Sequence, residues 1–531
     1  MPSVGSAFRG RAIKQEEISA LIEKNEELEA LVVELQSQIA WLKKQLFGSK
    51  SEKLDPAQPE FDLEGTEGKR PAPPEDDQEE QTDEVGPQEE PKSKEKRPRR
   101  TKDEIYNLSN LPVKVINEVI PEEVLANPER YKKIAEETHD ALDYRPGRVQ
   151  IARTLLPKYI KIDDKSLPPV QAPAPLPVVP GTMITAALGA HIVVSKHGYH
   201  VPHYRIAQIM NAEQNMQVLD RTINKWGNAV AEHLAPIVEA IKADLMLSDA
   251  IQMDETPIKY LKKGTKKSQT GYIWVMRDPL TEAAVFHWDT SRSTEALQEM
   301  LGYNSETNTI AFRGSLQCDG YKAYTSLKDR FDGIELGGCF AHVRRYFLEN
   351  ETMLHLSWVR KILGHIQELY KIEKKLKKEE AEKGRCLARV KRVRQEESSP
   401  ITQKIHSILI EQSNNYRPSD PETTALNYTL GQWESLLLYL EDPKLDIDNN
   451  AVERLIRPTK IGAKNYLFFG NAEAGTNNAI VYTLIANCKA LGIDARAYLE
   501  HAITQIHHVA PESLTPAAYK ASLEDSIQQA A

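Results

Sequence analysis

Leu247-Ser248-Asp249-Ala250-Ile251-Gln252-Met253-Asp254-Glu255-Thr256-Pro257-Ile258-Lys259 is the stretch on which a fold assignment turns. Apolar residues alternate with others and a proline closes the run, the pattern of a strand. Asp254 lies near its end. A second strand-like stretch, Gly314-Ser315-Leu316-Gln317-Cys318-Asp319-Gly320-Tyr321, also ends on an aspartate. A third acid, Glu453, follows in Asn449-Asn450-Ala451-Val452-Glu453-Arg454-Leu455-Ile456-Arg457-Pro458. Carboxylates at two strand ends and one helix start can converge from distant positions. Converged, they are hard oxygen ligands suited to Mg²⁺ or Mn²⁺. Two such ions can clamp the attacking and leaving oxygens of a phosphodiester.

Each acid also has a plainer reading. Asp254 and Asp319 can simply open turns. Asn450-Ala451-Val452-Glu453 fits a capping box, with Asn450 as N-cap, and Asp446 and Asp448 compete for the place of third acid. Cys339-Phe340-Ala341-His342 has zinc-ligand spacing, but two ligands make no structural site. Arg344 and Arg345 follow at once and can hold a phosphate bidentately or be ordinary surface charges.

The sequence around these acids reads as α/β from 247 to 345. Strands are expected at 249–254, 272–277, 283–288, 315–318 and 334–340, with a helix over 293–301 between the third and fourth. Gly264 and its lysines make the first hairpin turn. Three strands, a helix and another strand is the order of a ribonuclease-H-like core. The whole is expected to be multidomain, α/β plus α, because 531 residues exceed one compact core.

Residues 1–54 carry heptads, with Leu21, Leu28, Leu35 and Leu42 at d and Ile18, Asn25, Val32 and Ile39 at a. That choice favours a parallel two-stranded coiled coil whose register Asn25 fixes. Residues 55–102 combine prolines with acids and are expected to be disordered, ending in basic residues from Lys92 to Lys102. Residues 103–166 are mixed, with a strand-like run from Val149 to Leu156. Residues 181–246 read as helical, and a helix-turn-helix is one reading, with Arg221, Asn224 and Lys225 on the exposed start of its second helix. A charged helical insertion is expected at about 346–430 within a catalytic domain of 247–475, and more helix over 476–531.

Four scattered cysteines are no disulfide framework, which fits a reducing cytosol. No run of about 18 apolar residues occurs, so no membrane span is expected, and no signal peptide is expected from Met1 to Arg11. The net charge of −9 argues against nucleic acid only until its distribution is considered, since the acid is concentrated in one linker.

Taken together, Asp254-Glu255-Thr256-Pro257, Leu316-Gln317-Cys318-Asp319-Gly320-Tyr321, Cys339 to Arg345, Asp448 to Pro458 and Gly462 to Gly470 resemble the motifs of the IS-sixty-six family of insertion-sequence transposases, in the expected order. The leader ending in Leu46-Phe47-Gly48-Ser49-Lys50-Ser51-Glu52 resembles that family's leader. The resemblance implies a DDE transposase with a ribonuclease-H-like domain in which Asp254, Asp319 and Glu453 bind Mg²⁺ or Mn²⁺. It favours Glu453 over Asp446 and Asp448. It implies cleavage at transposon terminal inverted repeats, transfer into target DNA, a homodimer or higher oligomer, accessory proteins of the same element, and a bacterial cytoplasmic, nucleoid-associated setting. His342, Arg344, Arg345, Arg457 and Lys464 become DNA-binding candidates. Two departures stand out. Residues 98–165 hold no cysteine and one histidine, His139, where the family has a cysteine zinc finger, so no zinc is expected. Ala463 stands where the family has arginine. A nuclease without joining activity and an inactive coiled-coil DNA-binding regulator are the other readings.

The heptads generate a test. Charged residues at Leu28 and Leu35 would each bury an unpaired charge. They are expected to convert a 1–54 peptide from dimer to monomer in light scattering.

Overall fold

The computed structural model describes residues 109 and 111–530, less 146, 164–165, 263, 265–266 and 350. The leader residues Leu21, Asn25, Leu28, Val32, Leu35, Ile39 and Leu42, and the basic run from Lys92 to Lys102, lie outside the described residues.

The first described layer is a sheet of β1 (Val113–Glu118), β2 (Tyr131–Arg145), β3 (Arg148–Lys161) and β4 (Val170–Gln171). β2 and β3 form a long antiparallel hairpin, β1 lies parallel to β3, and β4 pairs with the far end of β3. Arg153 on β3 reaches Asp140, its cross-strand partner on β2, at 2.9 Å. Charge on both strands hides this sheet from a hydrophobicity pattern. Helices α1 (Ala186–His197), α2 (His203–Glu213) and α3 (Asp220–Met246) follow.

The second sheet is the frame of the site. It contains β5 (Ala250–Leu261), β6 (Ser268–Arg277), β7 (Ala284–Asp289), β10 (Gly314–Gln317) and β11 (Ile334–Gly337). The short pair β8 (Tyr303–Asn304) and β9 (Thr309–Ile310) forms a separate hairpin. Strand order is β11-β10-β5-β6-β7. β5, β6 and β7 are antiparallel neighbours, while β10 and β11 run parallel to β5. Helix α4 (Thr294–Met300) follows β7 and α5 (Lys322–Arg330) follows β10. The strand expected over 334–340 stops at Gly337, because Phe340 begins helix α6 (Phe340–Leu348).

Side-chain alternation assigns the two faces of this sheet. Ile251, Met253, Trp274, Met276 and Leu316 join the core shared with α1, α3, α4 and α5. Ile258, Tyr260, Ile273, Val275, Phe286 and Trp288 face the other way. They pack on Val452 and Ile456 of α11 (Asn450–Tyr466) and on Ala479 and Tyr482 of α12 (Ala472–Leu491). Helix α13 (Ala495–Gln505) follows and packs on α1. The strands are apolar on both faces because helices cover both.

Between α6 and α11 the chain builds a helical insertion: α7 (Ser357–Lys383), α8 (Ser399–Gln412), α9 (Pro421–Gly431) and α10 (Trp433–Glu441). Its core is Phe347, Val359, Ile362, Ile366, Leu369, Ile405, Leu409, Leu426 and Leu436. At its heart, buried Arg394 binds Glu373 on both oxygens, at 2.8 and 2.7 Å. Its remaining donor group reaches the carbonyls of Tyr439 and Leu445, both at 2.9 Å. Removing one member of such a pair strands a buried charge and costs about 3 to 5 kcal/mol. Glu373→Ala is therefore expected to lower unfolding free energy by roughly that amount, measured by urea titration. A loss below about 1 kcal/mol, the range of an exposed pair, would contradict this account.

Candidate acidic metal site

Parallel register sets the first two acids side by side. Gln317 of β10 is paired with Gln252 of β5. Two residues further along each chain, beyond the end of that ladder, come Asp319 and Asp254. Oxygens of Asp254, Glu255 and Asp319 all lie within 4.8 Å of one another. Asp319 closes a turn by accepting the N–H of Tyr321 at 2.9 Å. Gly320 between them has φ +84°, and a Cβ there would come 2.8 Å from the Gln432 side chain. Only glycine takes that turn without strain.

Glu453 arrives on the first turn of α11. Buried Asn449, just ahead of that helix, donates its side-chain N–H to the carbonyl of Met253 at 2.7 Å. The Asn449 backbone N–H donates to Cys339 Sγ at 3.2 Å. These bonds fasten the helix start beside Asp254. The capping-box reading does not hold. Asn449 is the N-cap, the Asn450 N–H goes to Asp448 Oδ1 at 3.0 Å, and Glu453 faces His342 Nε2 at 3.8 Å and Arg345 Nη2 at 3.7 Å. The competing acids are engaged elsewhere. Asp448 accepts the Tyr370 hydroxyl at 2.7 Å, and Asp446 accepts the Gln252 side chain at 3.2 Å.

Of the other residues singled out from sequence, His342 and Arg345 join the acids. Arg344 acts electrostatically on Tyr370 of the insertion. Cys339 and His342 engage different partners. Arg457 and Lys464 are exposed further along α11, and Arg221, Asn224 and Lys225 are exposed on the first turns of α3.

Sequence reasoning misses Glu255 and Arg292. Glu255 has a side chain only 2% exposed. Arg292, in the loop between β7 and α4, donates from Nε to Glu255 Oε1 at 2.6 Å and engages the same oxygen with Nη2. Its Nη2 is 3.9 Å from Asp319 Oδ2. The guanidinium lies 3.9 Å over the Tyr321 ring, and the Tyr321 hydroxyl donates to the Arg292 carbonyl at 2.8 Å. The Tyr324 hydroxyl donates to the other Glu255 oxygen at 3.2 Å. For Glu255 a signal was present: a second acid next to Asp254 on a buried strand needs a counter-charge of its own. A second group, His287, Asp289 and Glu299, also gathers at the edge strand, with Asp289 accepting the Ser291 N–H at 2.6 Å and Glu299 exposed.

Residues 181–477 match the family model described as "Transposase IS66 family". The chain belongs to that family. The match includes Asp254, Arg292, Asp319 and Glu453. Residues 34–116 match a model described as "Transposase C of IS166 homeodomain". Three proteins of Sinorhizobium fredii are similar to this transposase-family chain. Uncharacterized protein y4jD is 29% identical over 91% of this chain and 92% of its own length. Uncharacterized protein y4qI is 29% identical over 75% and 74%, and uncharacterized protein y4hP is 25% identical over 72% and 71%. No helix among the described residues is long and apolar enough to cross a membrane.

The electrostatics of the acid group are strained. Burial pushes the Asp254 carboxyl well above the usual range, and the charges of Glu255, Glu453 and Asp319 push the same way. Burial also raises Glu255, against the pull of Arg292. Burial lowers Arg292, but Glu255 outweighs it and the guanidinium is raised overall. Crowded carboxylates of this kind are an all-oxygen donor set for a hard divalent cation.

This carries a pH dependence. A carboxyl raised in the fold stabilises it below the unfolded pKa, and that contribution is lost as pH rises through the folded value. For chelator-treated protein, Asp254→Asn is expected to raise Tm at about pH 8 and leave it near parental at about pH 4. A tenfold difference in proton affinity between the folded and unfolded chain is worth about 1.4 kcal/mol. Melting curves at both pH values check this, and a variant that melts lower at the higher pH would refute it.

Proposed function

We propose that this transposase-family chain is a DDE enzyme that cleaves DNA at transposon ends and joins them to target DNA, with Asp254, Asp319 and Glu453 as its metal-binding acids. The observation that carries the reading is the parallel register of β5 and β10. It aligns two aspartates from distant stretches while α11 is pinned beside them with Glu453 on its first turn. Three antiparallel strands followed by two parallel ones support a ribonuclease-H-like core. Mg²⁺ or Mn²⁺ bound there would activate water and stabilise charge on the leaving oxygen. Asp254 supplies oxygen ligands from within β5, Asp319 from just past the end of β10, and Glu453 from the helix. Arg345 holds Glu453 in place at 3.7 Å, and His342 lies beside the same carboxylate.

The chain's other parts fit the same activity. The leader would pair two protomers for two DNA ends. The exposed start of α3, with Arg221, Asn224 and Lys225, and the exposed face of α11, with Arg457, would contact phosphate. Lys464 and the lysines of α7, from Lys371 to Lys378, are also exposed.

The test uses the full chain, Mg²⁺ or Mn²⁺, and DNA carrying the element's ends. Nicked ends and joined products are expected. Asp254→Asn, Asp319→Asn and Glu453→Gln are each expected to reduce cleavage at least about 100-fold, the upper range for losing an outer-shell partner, while end binding is kept. Cleavage without joining would select the nuclease reading. DNA binding without metal-dependent nicking would select the regulator. Normal cleavage by Glu453→Gln would remove Glu453 from the set.

A further inference from the structure

We propose that Arg292 is a phosphate-binding residue of this site and that Glu255 is its anchor rather than a metal ligand. The inference rests on the reading of Asp254, Asp319 and Glu453 as metal-binding acids. Glu255 is close enough to Asp254 and Asp319 to be counted with them. Both its oxygens are nevertheless taken: one by Nε and Nη2 of Arg292, the other by the Tyr324 hydroxyl. With its side chain 2% exposed, it is held against the protein rather than offered to the cleft.

Arg292 is fixed on three sides. One edge of the guanidinium is on Glu255, one face lies over Tyr321, and its own carbonyl is held by the Tyr321 hydroxyl. The Nε–Nη2 edge is used, which leaves Nη1 and the outer N–H of Nη2 for a further acceptor. Its side chain keeps 36% exposure and approaches Asp319 at 3.9 Å. Arginine's planar donors suit a phosphate oxygen, and a locked guanidinium loses little freedom on binding. A phosphodiester entering beside so many carboxylates needs a fixed cation to offset their repulsion. Arg292 is that cation, and Glu255 keeps it from collapsing onto Asp319.

Charge bookkeeping separates this role from a structural one. The experiment measures Mn²⁺ affinity of the full chain by electron paramagnetic resonance, without DNA, together with cleavage of DNA ends. Arg292→Ala uncovers the Glu255 charge. Mn²⁺ binding is expected to tighten about tenfold, while cleavage falls about 100-fold, in the range for losing a charge-stabilising donor. Arg292→Lys keeps the charge and loses the fork, so Mn²⁺ affinity is expected to stay parental while cleavage still falls. Glu255→Gln leaves Arg292 unbalanced and weakens Mn²⁺ binding. The double variant Glu255→Gln with Arg292→Ala removes one charge of each sign, and parental Mn²⁺ affinity is expected to return. If the double variant stays weak, Glu255 is a metal ligand and the proposal is wrong. Weaker or unchanged Mn²⁺ binding in Arg292→Ala, or parental cleavage, overturns it equally. A parental protein that binds no Mn²⁺, or an Asp254→Asn variant that binds it normally, overturns the metal reading itself and this inference with it.

Discussion

The hydrogen bond from the Asn449 side chain to the Met253 carbonyl is the contact on which the site depends. The ladder between β5 and β10 ends at Gln252 and Gln317, so the next carbonyl of β5 needs another donor. Asn449 supplies it at 2.7 Å from a fully buried position. A buried carbonyl left without a donor costs about 1 to 3 kcal/mol, so the bond fixes where α11 begins. Neighbouring polar groups extend the same lock. Gln252 is held by Arg277 at 2.7 Å and donates to Gln317 at 2.8 Å and to Asp446 at 3.2 Å. Gln317 in turn donates to the carbonyls of Gly338 and Asp446. Strand, neighbouring strand, insertion and helix therefore meet in one buried polar network. Satisfied members of such a network fix its geometry; one acceptor in it, Asn449 Oδ1, is buried with no hydrogen-bond partner among the described residues.

This arrangement explains why polar residues interrupt the most apolar strands. Gln252 lies between Ile251 and Met253, and Gln317 follows Leu316, yet both glutamines are buried. Read as a pattern, they look like solvent-facing positions of a half-exposed sheet. In the fold they are the mortise between the sheet and the insertion that returns to it. The insertion has its own apolar core and its own buried ion pair, so it meets the sheet as a formed body rather than as a loose loop.

Much of the second sheet was legible because each strand obeys a short-range rule. β5, β6, β7 and β10 show alternation or compact apolar runs; β7 and β10 fall within one residue of the expected positions, β6 begins four residues earlier, and β5 runs on through Pro257 to Leu261, seven residues past the expected end at 254. The end of β11 was misplaced because apolar residues continue through Cys339 and Phe340 into a helix, and periodicity cannot separate a buried strand from a buried helix start over so few residues. The first sheet was legible only in β3. Residues such as Lys132, Lys133, Glu136 and Glu137 on β2 carry no apolar stripe, and cross-strand pairing leaves no trace in a single strand. The acids could be seen as residue types in strand-like stretches, although Asp254 lies mid-strand rather than at an end. Their proximity could not, since it depends on the register between β5 and β10. Arg292 was invisible for the same reason. It comes from a loop, and its relation to Glu255 spans 37 residues.

The order of these parts along the chain has a consequence during synthesis. Asp254 lies in β5 and Asp319 just past β10, strands that can pair as soon as β10 has emerged. Glu453 lies 134 residues beyond Asp319, behind the whole helical insertion. At roughly 5 to 20 residues per second, the nascent chain holds an incomplete acid set for roughly 7 to 27 s. A chain cut short within the insertion would keep both aspartates and never acquire the third carboxylate. Prematurely terminated chains would then carry two acids of the candidate site and lack the helix that brings the third.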